Sequence, residues 1–151
     1  MGGFVATLAG SLDGRYDAHV LLLCGGDLYG ILSRGQKDAA KTMERLRASG
    51  LSEDELRRQL HSIEPLRIAQ RLPADRTWLY AARFDRVVPL EHAELLADRI
   101  GLPAERFIRL PCNHYSGIYY LPGILIKMRD ILIPVGSPEE GEEAEETKTC
   151  P

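Results

Sequence analysis

The 151 residues suffice for one domain, and a composition of 44% hydrophobic and 27% charged residues is that of an ordinary globular chain with enough apolar side chains for a core. The net charge is −3, and the six glutamates within residues 139–146 carry more negative charge than this net value. The rest of the chain is therefore nearly neutral and offers no basic surface to nucleic acid. No apolar run approaches the roughly 20 residues that a bilayer span requires, so we expect no membrane span.

The first half of the chain combines apolar and helical patterns. A helix is predicted over 3–12, and because it is apolar on most sides we expect it to be buried. The continuous apolar run 18–24 has the length of a strand, and its lack of alternation favours a strand covered on both faces, as in a parallel sheet. Helices follow over 36–49 and from Ser52, which begins a capping box, and a short helix over 65–72.

The second half alternates strands with helices. Strands are predicted over 77–85 and 106–111, and the helix 90–100 lies between them. A last helix over 118–132 contains a proline–glycine pair that is expected to kink it. Proline, glycine and glutamate dominate from residue 134, so residues 134–151 are predicted to be an acidic disordered tail.

This order of elements predicts an α/β fold with three parallel strands and flanking helices. Residues 1–133 are expected to form the folded domain. No upstream strand is available to pair with the first strand, so its edge is left free for self-association through residues 18–24.

The cysteines and most histidines receive structural interpretations. Cys24, Cys112 and Cys150 lie far apart without a C-x-x-C pair, which predicts neither a disulfide framework nor a zinc site. We therefore expect reduced thiols, a cytoplasmic protein, and no metal or organic cofactor. His92 stands in the first turn of a predicted helix and is expected to be exposed.

Two acid–base residues follow neighbouring predicted strands. Asp85 ends the strand in "ARFDRVVP", and His114 follows the next strand in "LPCNHYSG". Taken singly, an aspartate after a strand is commonly a turn residue, and a loop histidine is commonly structural. Adjacent parallel strands would bring the two loops together, and a carboxylate beside an imidazole makes the histidine a competent general base.

Three segments together resemble the C-terminal part of the α/β-hydrolase family. "LYAARFDRVVPLEHAELLADRIG" resembles the acid segment, "FIRLPCNHYSG" the histidine segment, and "MGGFVATLAG" the helix that follows the nucleophile elbow. The resemblance covers residues 1–133 and implies a partial α/β-hydrolase fold, with a helical lid-like excursion at about 27–64.

The resemblance also implies roles for single residues. His114 would be the general base, Asp85 would orient it, and the backbone amide of Met1 would help to form the oxyanion hole. The nucleophilic serine would immediately precede Met1. The implied reaction is hydrolysis of an ester or related acyl bond of a small-molecule substrate by the full-length form, with the nucleophile missing from the present chain.

The excursion is where this family inserts its lid, and apolar side chains at its start would then line a substrate pocket. Packing of the lid onto the sheet explains them equally well. These residues are Leu28, Tyr29, Ile31 and Leu32.

Other interpretations stay open. One alternative is that the chain as given is a catalytically inactive remnant or a fragment that needs a complementary half to fold. Another is that it is a small independent α/β binding module. None of the hydroxyl or thiol groups stands on a strand-to-helix elbow, so none is expected to replace the missing nucleophile; the candidates considered are Ser11, Ser33, Ser49, Ser52, Ser62, Ser116 and Cys24.

Overall fold

A three-stranded parallel sheet lies at the centre of the residues that the computed structural model describes, 2–133. Its strands are β1 (His19–Leu22), β2 (Thr77–Ala82) and β3 (Phe107–Leu110), and their order across the sheet is their order in the chain. Both strand pairs are parallel. The predicted mixed α/β class with a three-stranded parallel sheet is therefore confirmed.

Helices connect and flank the strands. In the described part of the chain the α-helices are α1 (Gly2–Leu12), α2 (Leu28–Arg34), α3 (Asp38–Ala48), α4 (Glu53–Ser62), α5 (Leu90–Ile100) and α6 (Leu121–Leu132). The short helix predicted over 65–72 is instead a pair of 3₁₀ turns, Pro65–Arg67 and Ala69–Arg71. Further 3₁₀ turns lie at Ala74–Arg76, Ala104–Arg106 and Ser116–Tyr120.

Local sequence signals fix the ends of two helices. The Ser52 hydroxyl accepts from the Glu55 amide at 3.3 Å, and the Glu55 carboxylate accepts from the Ser52 amide at 2.8 Å, so the predicted capping box of α4 is confirmed. Helix α5 starts after Pro89 and ends at Gly101, whose φ of 77° is the left-handed conformation that glycine adopts without strain.

The two faces of the sheet carry separate cores, because successive strand residues point to opposite faces. On one face Leu79 packs with Leu21 and Phe107 from the neighbouring strands and with Leu96 of α5. On the other face Tyr80, Ala82 and Leu110 pack against Ile124 of α6. Helices α5 and α6 therefore lie on opposite sides of the sheet.

A third core belongs to the excursion between β1 and β2. Helices α2, α3 and α4 contribute Ile31, Met43 and Leu56, each at most 2% exposed. Val87 and Val88, which follow β2, join the same cluster. The excursion is therefore packed onto the chain immediately after Asp85.

Helix α1 departs from the prediction that it is buried. Its face towards β1 is buried at Thr7, Gly10 and Ser11, but Val5 and Leu12 are 64% and 71% exposed. The expectation of all-round burial is wrong for the described residues, because only one side of the helix packs against the sheet.

Strand β1 is shorter than the predicted run 18–24. Leu23 takes a left-handed backbone with a φ of 50°, and the ladder with β2 stops at Leu22. Leu21 is 1% exposed, whereas Val20 and Leu22 are only half-buried because they border a cavity. The first face of β1 is therefore covered as predicted, whereas its second face packs against the Tyr80 and Ile124 core and is only partly covered.

Helix α6 also differs from expectation. Pro122 lies in its first turn, where the missing amide hydrogen deprives no helical carbonyl of a partner. The helix begins at the proline–glycine pair and is not kinked by it. The predicted acidic tail, 134–151, lies outside the described residues.

Candidate active site

Asp85 is held in a turn just beyond the carboxyl end of β2. Its side chain is 2% exposed, and Oδ1 accepts hydrogen bonds from the amides of Val87 at 2.8 Å and Val88 at 2.9 Å. These two donors fix the rotation of the carboxylate and stabilise its negative charge, leaving Oδ2 free for another partner.

That partner is His114, whose Nδ1 lies 2.7 Å from Asp85 Oδ2. The neighbouring strands β2 and β3 deliver the two loops to the same edge of the sheet, as expected from their parallel order. Because a carboxylate only accepts, Nδ1 carries the proton, and Nε2 is left as the basic nitrogen of the neutral ring. The histidine side chain is 26% exposed, so it remains accessible.

The loop that carries His114 has its own hydrogen-bonded frame. The Asn113 carboxamide accepts from the amides of Tyr115 and Ser116, both at 3.0 Å, and the Ser116 hydroxyl accepts from the Asn113 amide at 3.0 Å. This reciprocal turn determines the direction in which the histidine leaves the backbone.

A contact with the excursion supports the same loop. The Tyr115 hydroxyl donates to Asp38 at 2.8 Å, and the Lys37 ammonium lies 4.5 Å from the centre of the tyrosine ring. The hydrogen bond to Asp38 raises the pKa of Tyr115, because it and the nearby carboxylate charges disfavour the phenolate. The start of α3 is thereby tied to the residue next to His114.

Two largely apolar cavities meet at His114. One, of about 320 Å³, lies between the sheet, the loop after β3 and α6, and the other, of about 710 Å³, lies between α1, β1 and the excursion. Leu22 and Leu23 border both cavities. The strained left-handed backbone of Leu23 sends its side chain between them, against Gly117.

Three of the four predicted pocket residues share a cavity with His114. Leu28, Ile31 and Leu32 line the larger cavity, because positions at helical spacings of three and four lie on one face of α2. Tyr29 does not. Its hydroxyl hydrogen-bonds to Glu53, and the Arg57 guanidinium lies 3.9 Å from the centre of its ring, so Tyr29 lies outside this cavity and its role in a substrate pocket stays a prediction.

The first residues of α1 reach the same cavity. Gly2, Gly3 and Phe4 line its wall together with His114. Met1, whose amide was assigned to an oxyanion hole, lies outside the described residues. The amino-terminal end of α1 therefore borders the cavity onto which the histidine opens.

Within residues 2–133, no hydroxyl or thiol forms a hydrogen bond with His114. Ser11 donates to the Thr7 carbonyl, Ser62 to the Gln59 carbonyl, and Ser116 belongs to the turn described above. Among the remaining candidates, Ser49 donates to the Leu46 carbonyl at the end of α3, and Ser52 caps the start of α4. Ser33 lies in the last turn of α2.

Cys24 is equally unsuited to act as the nucleophile. It is 3% exposed, and burial raises the pKa of its thiol to about 12. A thiol with such a pKa carries almost no thiolate at neutral pH. Burial, with the nearby charge of Asp85 as a smaller cause, also raises the pKa of Cys112.

His92 contradicts the expectation that it is exposed. Its side chain is fully buried, Nδ1 lies 3.1 Å from the Gly26 carbonyl, and Nε2 lies 3.3 Å from the Arg34 guanidinium. The backbone of His92 is packed against Gly25, where a Cβ would come within 2.6 Å of it. The sequence held a signal for this burial, because His92 precedes the core residue Leu96 by one helical turn.

The described residues contain no group of three or more His, Cys, Asp or Glu side chains arranged to hold a metal ion. No helix among them has the length and apolar character needed to cross a membrane. The models of known protein families give no match to this sequence, and neither do the curated proteins.

Proposed function

We propose that Asp85 and His114 are the acid and base of an acyl-hydrolase site of the α/β-hydrolase type. The observation that carries the proposal is the 2.7 Å contact between a buried carboxylate and a partly exposed imidazole that opens onto two apolar cavities. The family assignment rests on the sequence resemblance, and the contact supports it.

The proposed chemistry proceeds through Nε2 of His114. A serine hydroxyl placed beside Nε2 gives up its proton to the ring as its oxygen attacks the substrate carbonyl, and the ring later donates that proton to the leaving alkoxide. Water repeats the sequence to release the acid. Asp85 stabilises the imidazolium in each step and does not itself take the proton.

The serine of this proposal precedes α1 in a longer form of the protein. This position is consistent with the cavity, because Gly2, Gly3 and His114 all line it. Amide groups at the start of α1, with that of Met1 first among them, would then stabilise the oxyanion together with the helix dipole.

The proposed substrate is a small acyl ester with an apolar acyl group. Leu28, Ile31 and Leu32 give the larger cavity an apolar wall that excludes water from such a group. The excursion at residues 27–64 would then serve as the lid, with Tyr115 and Asp38 joining it to the histidine loop.

The test uses the longest in-frame protein that contains these residues, assayed with p-nitrophenyl esters of short and long acyl chains. We expect kcat/KM to fall about 10³-fold or more in Asp85→Asn and in His114→Ala. The exposed Asp75 gives a matched control, and Asp75→Asn should keep full activity. Activity retained in His114→Ala, or a reading frame with no serine ahead of α1, refutes the proposal.

A second candidate function is association without catalysis, in which the present chain pairs with a complementary half. Within the described residues β1 pairs only with β2, and the neighbouring α1 exposes Val5 and Leu12. Analytical ultracentrifugation of residues 1–151, which gives the association state, and urea unfolding, which gives the cooperativity, together decide the point. A monomer that unfolds cooperatively counts against the need for a partner, whereas concentration-dependent association supports it.

A further inference from the structure

A groove of about 760 Å³ lies between α4, the turn Pro65–Arg67 and the last turn of α5. It shares no lining residue with either cavity at His114. Four guanidinium groups line it, and we call it the arginine groove; they belong to Arg57, Arg58, Arg67 and Arg99.

Neutral partners position three of these arginines without neutralising them. Arg57 stacks on the ring of Tyr29, Arg67 donates to backbone carbonyls at 3.3 Å, and Arg99 donates to the Leu66 carbonyl at 2.8 Å. Within residues 2–133, none of the four groove arginines forms an ion pair with a carboxylate. The groove therefore holds oriented positive charge that is not compensated by direct pairing.

The two carboxylates in the groove already have partners. Glu64 accepts hydrogen bonds from the amides of Asp27, Leu28 and Leu66 at 2.6 to 3.0 Å. Asp27 caps α2 through the Gly30 amide and pairs with Arg34 outside the groove. The groove is thus lined by four guanidinium groups and by two carboxylates that already have hydrogen-bond partners, so an anionic ligand gains favourable electrostatic energy by binding there.

We propose that the arginine groove binds an acidic peptide segment and that this segment is the chain's own residues 139–146. The sequence there is EEGEEAEE, whose six carboxylates are ionised at neutral pH and complement the four guanidinium groups. All four groove arginines are exposed, so a segment of the chain with closely spaced carboxylates can reach them from solvent. This inference does not depend on the proposed function.

The covalent connection is long enough for the contact. Residue 146 follows Ile133 by thirteen residues, which span up to about 45 Å when extended. A folded unit of this size is roughly 36 Å across. Tethering also gives the segment an effective concentration of about 1 mM at the groove, so that individually weak contacts suffice.

The test measures binding of a fluorescein-labelled synthetic peptide of residues 137–147 by anisotropy at low salt. The proteins are the full chain and a variant in which all six glutamates of 139–146 are changed to glutamine. We expect the peptide to bind the variant about tenfold more tightly, because the native segment no longer competes for the groove. Added salt should weaken this binding.

Arginine variants locate the peptide on the surface. In the glutamine background, Arg58→Gln with Arg67→Gln should weaken peptide binding about five- to tenfold. Arg45→Gln with Arg71→Gln, at exposed positions outside the groove, changes the net charge equally and should leave it unchanged. Far-UV circular dichroism of both pairs confirms that they remain folded.

Each other outcome overturns the proposal. If the peptide binds neither protein, the groove is not a site for acidic peptides. Equal binding to both proteins shows that the groove takes acidic peptides but not its own segment. An equal loss in the groove pair and in the control pair shows that net charge, not the groove, attracts the peptide.

Discussion

Replacing Asp85 tests the hydrogen-bonded core of the candidate site without requiring catalysis. Asp85→Ala removes the acceptor for two buried amides, those of Val87 and Val88, and for the ring of His114. Asp85→Asn keeps an oxygen for the amides but presents an amide group where the ring needs an acceptor. The two substitutions therefore separate the backbone contacts from the contact with the histidine.

The structure gives the size of each effect. An orphaned buried amide costs about 1–3 kcal/mol, so Asp85→Ala should lower the free energy of unfolding by about 2–5 kcal/mol. The His114 ring adds little to this, because it is partly exposed and water can solvate the freed Nδ1. Asp85→Asn loses only the charge assistance and the fit to the ring, for about 1–2 kcal/mol.

Urea unfolding monitored by Trp78, the only tryptophan, measures both differences. Asp75→Ala, at an exposed position, is the control and should stay within about 0.5 kcal/mol of the original chain. If Asp85→Asn costs as much as Asp85→Ala, or if neither costs more than the control, the two amide contacts do not have the role assigned to them.

The same variants report on the histidine tautomer. Nitrogen-15 spectra of His114 should show the proton on Nδ1 in the original chain and on Nε2 in Asp85→Asn, because the asparagine amide donates to Nδ1. A proton that stays on Nδ1 in Asp85→Asn would refute the assigned orientation of the pair.

Three further substitutions test other parts of the fold. His92→Leu leaves the buried Gly26 carbonyl without its partner and should lower the free energy of unfolding by about 2–4 kcal/mol, measured in urea. Ser52→Ala breaks the capping box with Glu55 and should cost about 1 kcal/mol in the same assay. Burial lowers the pKa of His19, whose Nε2 has no hydrogen-bond partner, so the unfolded chain binds its proton first and stability should fall as the pH drops below about 6.5. His19→Leu should remove that part of the pH dependence, and an unchanged profile between pH 5 and 8 would contradict the reasoning.

Periodicity and end signals were sufficient for most of the architecture. The helix 90–100 was placed at its observed bounds, because Pro89 and Gly101 mark its ends in the sequence itself. The contact between Asp85 and His114 was foreseeable from topology, since parallel neighbours deliver their following loops to one edge.

What failed depends on contacts between residues distant in sequence. Helix α1 is apolar on most sides, and only the arrangement of its neighbours decides that Val5 and Leu12 are exposed. His92 is a polar residue in a first turn, and its burial follows from a loop that precedes it by 66 residues. Tyr29 is a different case, because local helical geometry alone turns it to the side of α2 away from Leu28, Ile31 and Leu32.

The sequential order of the strands sets an order for folding. Leu79 pairs with Phe107, 28 residues away, but with Leu21 across 58 residues. Doubling the length of a connection raises the entropic cost of closing it by about 0.6 kcal/mol. The longer connection, from β1 to β2, must also fold three helices. The unit of β2, α5 and β3 is thus favoured as the nucleus. Asp85 lies within this unit and His114 follows its last strand, so we expect the pair to form before the excursion docks and encloses the cavity around it.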